Sequence, residues 1–139
     1  MKIAVCGSMT FSKEMLKIGK DLRALGYIVT LPDFTEHYAT LDTRNDMHTE
    51  SAHNKVKHDL IRGYFDVISK HDAVLIYNPS KNGIENYVGG NTLIEMAFAH
   101  VLDKKIFMYN SIPDMSYKDE MDAMQPVILD GDLERILNH

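Results

Sequence analysis

Ala73, Val74, Leu75, Ile76 and Tyr77 form a run that is apolar at every position. A strand of that kind is covered on both faces, which is the habit of a parallel sheet with helices above and below it. Four more β-rich runs accompany it, at 2–6 (KIAVC), 27–31 (YIVTL), 105–109 (KIFMY) and 126–129 (PVIL). Between them the apolar residues switch to helical spacing. Met15, Leu16, Ile18, Leu22 and Leu25 mark a helix over 12–25, stopped by Gly26. Ala52, Val56, Leu60, Tyr64 and Val67, with Ile61, Phe65 and Ile68 beside them, mark a long helix over 46–70. Further helices are expected over 91–102, 117–124 and 133–137, and Pro32 breaks the second strand. The stretch 33–45 is polar and aperiodic and reads as a loop. Residues 78–90 (NPSKNGIENYVGG) are rich in turn formers. Strands alternating with helices predict right-handed crossovers. The expectation is one α/β domain over 1–139, a flavodoxin-like three-layer sandwich on a five-stranded parallel sheet.

Composition narrows the function classes. The chain has 139 residues, the size of one domain, and 45% of them are hydrophobic, enough for a core. A net charge of -5 argues against a groove for a nucleic-acid backbone, which needs clustered Lys and Arg. Cys6 is the single cysteine, so no disulfide forms within the chain, in keeping with a reducing cytoplasm. The first residues run straight into a strand with no basic leader, and no apolar run is long enough to span a membrane. No two of the seven histidines are four apart, so no helical turn offers a paired metal face. Nine methionines read as core filler.

In such sheets ligands lie beyond the carboxyl ends of the strands. Three segments are expected to converge there: Gly7-Ser8-Met9-Thr10, the loop 78–90, and Asn110-Ser111. The strongest local signal is Gly89-Gly90-Asn91-Thr92-Leu93-Ile94-Glu95. The two glycines admit close backbone approach and lead into a helix start whose N–H groups face a ligand. Glu95 is placed in the first turn of that helix among apolar neighbours, Phe98, Ala99 and Leu102, where a carboxylate is costly unless paired or functional. Thr92-x-x-Glu95 is also a capping-box pattern, and both readings stand. Gly7, Ser8, Met9 and Thr10, with Ser12, can hold a phosphate at a helix start, or can be an ordinary capped turn. Asp59 and Asp66 share a helix face. Asp59 reads as an ion-pairing residue, while Asp66, nearer the third strand, is a candidate functional carboxylate. Asn86 and Tyr87 can bond a sugar or base edge and stack on a base, or belong to an Asn-Gly turn.

On these motifs the chain resembles the nucleoside 2-deoxyribosyltransferases and the related nucleoside 5'-monophosphate N-glycosidases. The resemblance lies in Cys6-Gly7-Ser8, in His71-Asp72 before the apolar strand, and in GGNTLIEMAFAHVLDKKIF around Glu95. Gly-Gly-x-Thr-x-x-Glu is similar also to phosphoribohydrolases of nucleoside monophosphates. At the position of the family's helix aspartate this chain has Tyr64. The resemblance implies cleavage or transfer at an N-glycosidic bond. Glu95 would be nucleophile, Asp66 would assist, and Gly7, Ser8, Met9, Thr10, Asn86, Tyr87, Gly89, Gly90 and Asn91 would bind substrate. It implies a small-molecule nucleoside or nucleotide partner, no cofactor, no metal, and a homodimer or higher homo-oligomer completing the site. A nucleotide-binding module without catalysis is the alternative.

Overall fold

A computed structural model describes residues 1–33, 35–40 and 59–139. Five strands, β1 (Lys2–Cys6), β2 (Ile28–Thr30), β3 (Ala73–Ile76), β4 (Lys105–Met108) and β5 (Val127–Ile128), form one sheet. Its order is β2-β1-β3-β4-β5 and every neighbouring pair is parallel. That is the flavodoxin-like order, with the reversal between β1 and β3. The helices are α1 (Ser12–Ala24), a single turn α2 (Thr35–Tyr38), α3 (Leu60–Ser69), α4 (Gly90–Val101) and α5 (Lys118–Ala123).

Two apolar layers follow from strand alternation. Ala4, Cys6, Val74, Ile76, Ile106 and Met108 point to the side that meets Tyr64 and Ile68 of α3 and Met96 and Ala99 of α4. Ile3, Val5, Leu75 and Phe107 point to the side that meets Met15, Ile18 and Leu22 of α1, with Leu129 and Ile136. All four β3 residues are buried, as their uninterrupted apolarity requires. Helix α1 ends where Gly26 takes φ +97°. The Tyr27 N–H then returns to the Leu22 carbonyl at 3.2 Å.

Pro32 does more than end β2. The Ile28 N–H donates to the Met1 carbonyl, and the register pairs Ala4 with Thr30. Two residues on, the next donor to the Val5 carbonyl would be residue 32, and proline has no N–H. The Tyr64 hydroxyl of α3 donates to that carbonyl instead, inside the core.

Some expectations change. The loop over 33–45 contains α2 in its described part. Residues 46–58 of the expected long helix, on which the oligomer expectation drew, lie outside the described residues, and α3 begins at Leu60 with Asp59 as N-cap. The last helix is a 3₁₀ segment, Leu133–Asn138. Among the described residues no helix is long and apolar enough to cross a membrane.

Candidate functional site

Strands β1, β3 and β4 release the chain at one edge, into Gly7-Ser8, Tyr77-Asn78 and Tyr109-Asn110. Gly7 has no room for a side chain, since a Cβ would lie 3.0 Å from both the Tyr77 carbonyl oxygen and the Met15 sulfur. Ser8 caps the following 3₁₀ turn, Met9–Phe11, by accepting the Thr10 N–H at 3.3 Å. Ser12 does not join it. It is buried, with its hydroxyl donated to the Met9 carbonyl.

The loop after β3 folds back as a tight turn. Lys81 and Ile84 exchange backbone bonds of 3.0 and 2.9 Å, and Asn82 and Gly83 both take positive φ, +54° and +76°. This is the Asn-Gly type I′ geometry. The turn aims Lys81 at the first loop, where its ammonium donates to Ser8 Oγ at 3.0 Å, across 73 residues of sequence. The same ammonium lies 5.3 Å from the centroid of the Tyr87 ring. Tyr87 in turn fills the space that a side chain at position 89 would need, a Cβ there falling 3.2 Å from its ring. Lys81 and Asn78 were missed in the sequence. The Asn-Gly pair flanking Lys81 was the available signal.

Helix α4 starts at this edge with Gly89 as N-cap and no side-chain bond to its first N–H groups. The capping box does not form. The helix begins before Thr92, which is already inside it and buried, and Glu95 falls in the second turn rather than the first. Thr92, Glu95, Met96 and Ala99 make the buried stripe, and Glu95 is only 6% exposed. Its charge reaches the end of β1. Burial pushes the Cys6 thiol well up, and Glu95 pushes it further. The Tyr64 phenol is raised by burial first, then by Cys6, Glu95 and Asp33. Cys6 should therefore stay a neutral, inert thiol. In native protein at pH 8, iodoacetamide should leave it unmodified for hours and label it fully in 6 M urea, as read by mass spectrometry. Rapid native labelling would contradict the buried placement.

The structure brings Gly7, Ser8, Met9, Thr10, Asn86, Tyr87, Gly89, Gly90 and Asn91 to the carboxyl edge, and Glu95 behind it. It does not bring Asp66. Helix α3 runs antiparallel to β3, so its last turns approach the amino edge of the sheet, and the Asp66 side chain is exposed. Sequence proximity to strand three was thus a sign of the wrong edge. Asp59 caps α3 and pairs with Arg62, as its ion-pairing reading held. Among the described residues no three His, Cys, Asp or Glu side chains gather to hold a metal.

No protein-family profile matches the chain, and no curated protein matches it. Among solved structures it is similar to FerB, a flavoenzyme NAD(P)H:(acceptor) oxidoreductase from Paracoccus denitrificans. The identity is 14% and the TM-score 0.49, over 91% of this chain and 74% of that one. The expected N-glycosidic cleavage or transfer is corrected on this finding: the neighbour is an oxidoreductase, neither a hydrolase nor a transferase. The geometry adds a second reason, because the assisting carboxylate, Asp66, is away from Glu95's edge. The nucleophile role for Glu95 falls with that reaction.

Proposed function

We propose that this chain binds a phosphate-bearing nucleotide at the carboxyl edge of its sheet. The observation that carries the reading is the 3.0 Å contact of Lys81 Nζ with Ser8 Oγ. It sets a cation, a hydroxyl and a capped turn against one another at the mouth of the site. A phosphate oxygen can replace the hydroxyl as acceptor, so that the ammonium meets an anion in place of a neutral oxygen. Tyr87 offers a flat face beside it for a ring. The α4 start adds partial positive charge at the same edge. Glu95 stands behind as a buried carboxyl able to accept a sugar hydroxyl or hold a proton. A carboxyl buried just behind a ligand edge is the kind of group enzymes place at their sites, which favours an enzyme over a passive carrier.

Calorimetric titration with two pairs, AMP with adenosine and FMN with riboflavin, tests the reading. At least one monophosphate should bind about tenfold or more tighter than its dephosphorylated partner, or about 1.4 kcal/mol. Lys81→Ala should abolish that margin while leaving the partner's affinity and the thermal midpoint near wild type. Lys81 sits on a surface loop, where substitution is tolerated. No phosphate margin in either pair, or a margin that survives Lys81→Ala, would overturn the proposal.

A further inference from the structure

Asn78 follows β3 by two residues and is completely buried. Its carboxamide is fully used. Oδ1 accepts the Asn110 N–H at 2.9 Å. Nδ2 faces three carbonyls, those of Asn110 at 3.1 Å, Ser111 at 3.2 Å and Asn86 at 3.4 Å. Asn110 returns its own Nδ2 to the Asn78 carbonyl at 3.2 Å. Two of these partners belong to the exit of β4. The third, Asn86, precedes Tyr87 and takes φ +57°.

We propose that Asn78 is a positioning residue: by tying the Asn86 carbonyl to the exit of β4, its carboxamide holds Tyr87, and through it Lys81, at the ligand edge. The inference rests on the reading that Lys81, Ser8 and Tyr87 receive the ligand. The chain of contacts is continuous. Asn78 holds the Asn86 carbonyl, and Ser80 Oγ holds the Asn86 N–H at 3.3 Å. The next residue, Tyr87, bonds its N–H to the Pro79 carbonyl at 3.1 Å. Its ring carries Lys81, which bonds Ser8. A residue that merely joined β3 to β4 would need only its bonds to 110 and 111. The bond to Asn86 is the one that reaches the ligand loop.

Native-state hydrogen exchange on the wild-type chain is the first test, and it needs no variant to fold. If one carboxamide fixes both segments, the Tyr87 and Asn110 amides open together, with the same free energy and denaturant dependence. If Tyr87 opens in a separate event, the proposal is wrong. The second test is Asn78→Ala. Relative to the Leu75 amide, exchange at Tyr87 should quicken at least tenfold. The AMP-over-adenosine margin should shrink as it does in Lys81→Ala, with the double variant losing nothing more. A folded Asn78→Ala that keeps Tyr87 protection, or loses affinity additively with Lys81→Ala, overturns the proposal. If wild type shows no phosphate margin, the Lys81–Ser8 reading fails, while exchange at Tyr87 still decides the role of Asn78.

Discussion

Phe107→Ala should lower the stability of the chain by about 3–5 kcal/mol, the range for emptying a fully buried aromatic site. Phe107 is 0% exposed and lies in β4, bonded to β3 on one side and β5 on the other. Its ring belongs to the layer of Ile3, Val5, Leu75, Leu129 and Ile136. Most of those neighbours are on strands or on the segments that follow them, held in register by backbone bonds. They cannot close over the vacancy, so a cavity term adds to the lost transfer energy. For a chain of this size each kcal/mol moves the thermal midpoint by about 2–4 °C or slightly more, so a drop near 10 °C is expected. Urea unfolding should show the lower midpoint with an unchanged slope. A loss under about 1.5 kcal/mol would mean that the layer repacks and is less rigid than its strand pairing indicates. Leu75 on the neighbouring strand should give a smaller loss when truncated, because fewer atoms leave.

The sheet was legible because strand burial and strand apolarity are the same fact. A run such as 73–77 has few other places to go, and helical spacing between runs dictates crossovers and therefore parallel pairing. The edge that gathers the site followed from that topology. What failed was the placement of side chains along helices relative to the edge. Asp66 was favoured for its nearness to strand three, yet a crossover helix enters its strand at the amino edge, so that nearness argues against the site. Glu95 was found because a carboxylate after Gly89-Gly90 and at helical spacing from the apolar Phe98, Ala99 and Leu102 is visible in the sequence, and in the structure it lies in the buried stripe of Thr92, Met96 and Ala99. The helix start was misjudged because Gly89 caps it without a side chain, so the usual Ser, Thr or Asp signal is missing. Lys81 and Asn78 were hidden for another reason. Their partners are Ser8, 73 residues away, and Asn110, 32 residues away, and no local pattern encodes such pairs. The turn that aims Lys81 was written plainly in Asn82-Gly83, but not what it would be aimed at.

Tyr64→Phe is the sharper test of how this edge is built, because it removes one oxygen and leaves the packing. In wild type the Val5 carbonyl has lost its ladder donor to Pro32, and the Tyr64 hydroxyl takes the place. Tyr64 is 6% exposed, so water does not readily substitute. Leaving a buried carbonyl without a donor costs about 1–3 kcal/mol. Tyr117 supplies an internal control. Its hydroxyl also donates to a backbone carbonyl, that of Val88, but the residue is only partly buried and water can take over. Tyr117→Phe should therefore cost less, nearer the net value of an ordinary hydrogen bond, about 0.5–1.5 kcal/mol. Urea unfolding of both variants gives the ranking directly. The phenols give an independent reading, since burial raises both, and Tyr64, under the added push of Cys6 and Glu95, is raised further above the usual value near 10. Alkaline difference spectra should show Tyr117 ionising before Tyr64, with the last absorbance step absent in Tyr64→Phe. If Tyr64→Phe proves no costlier than Tyr117→Phe, the Val5 carbonyl has another donor and the account of Pro32 at the end of β2 is wrong.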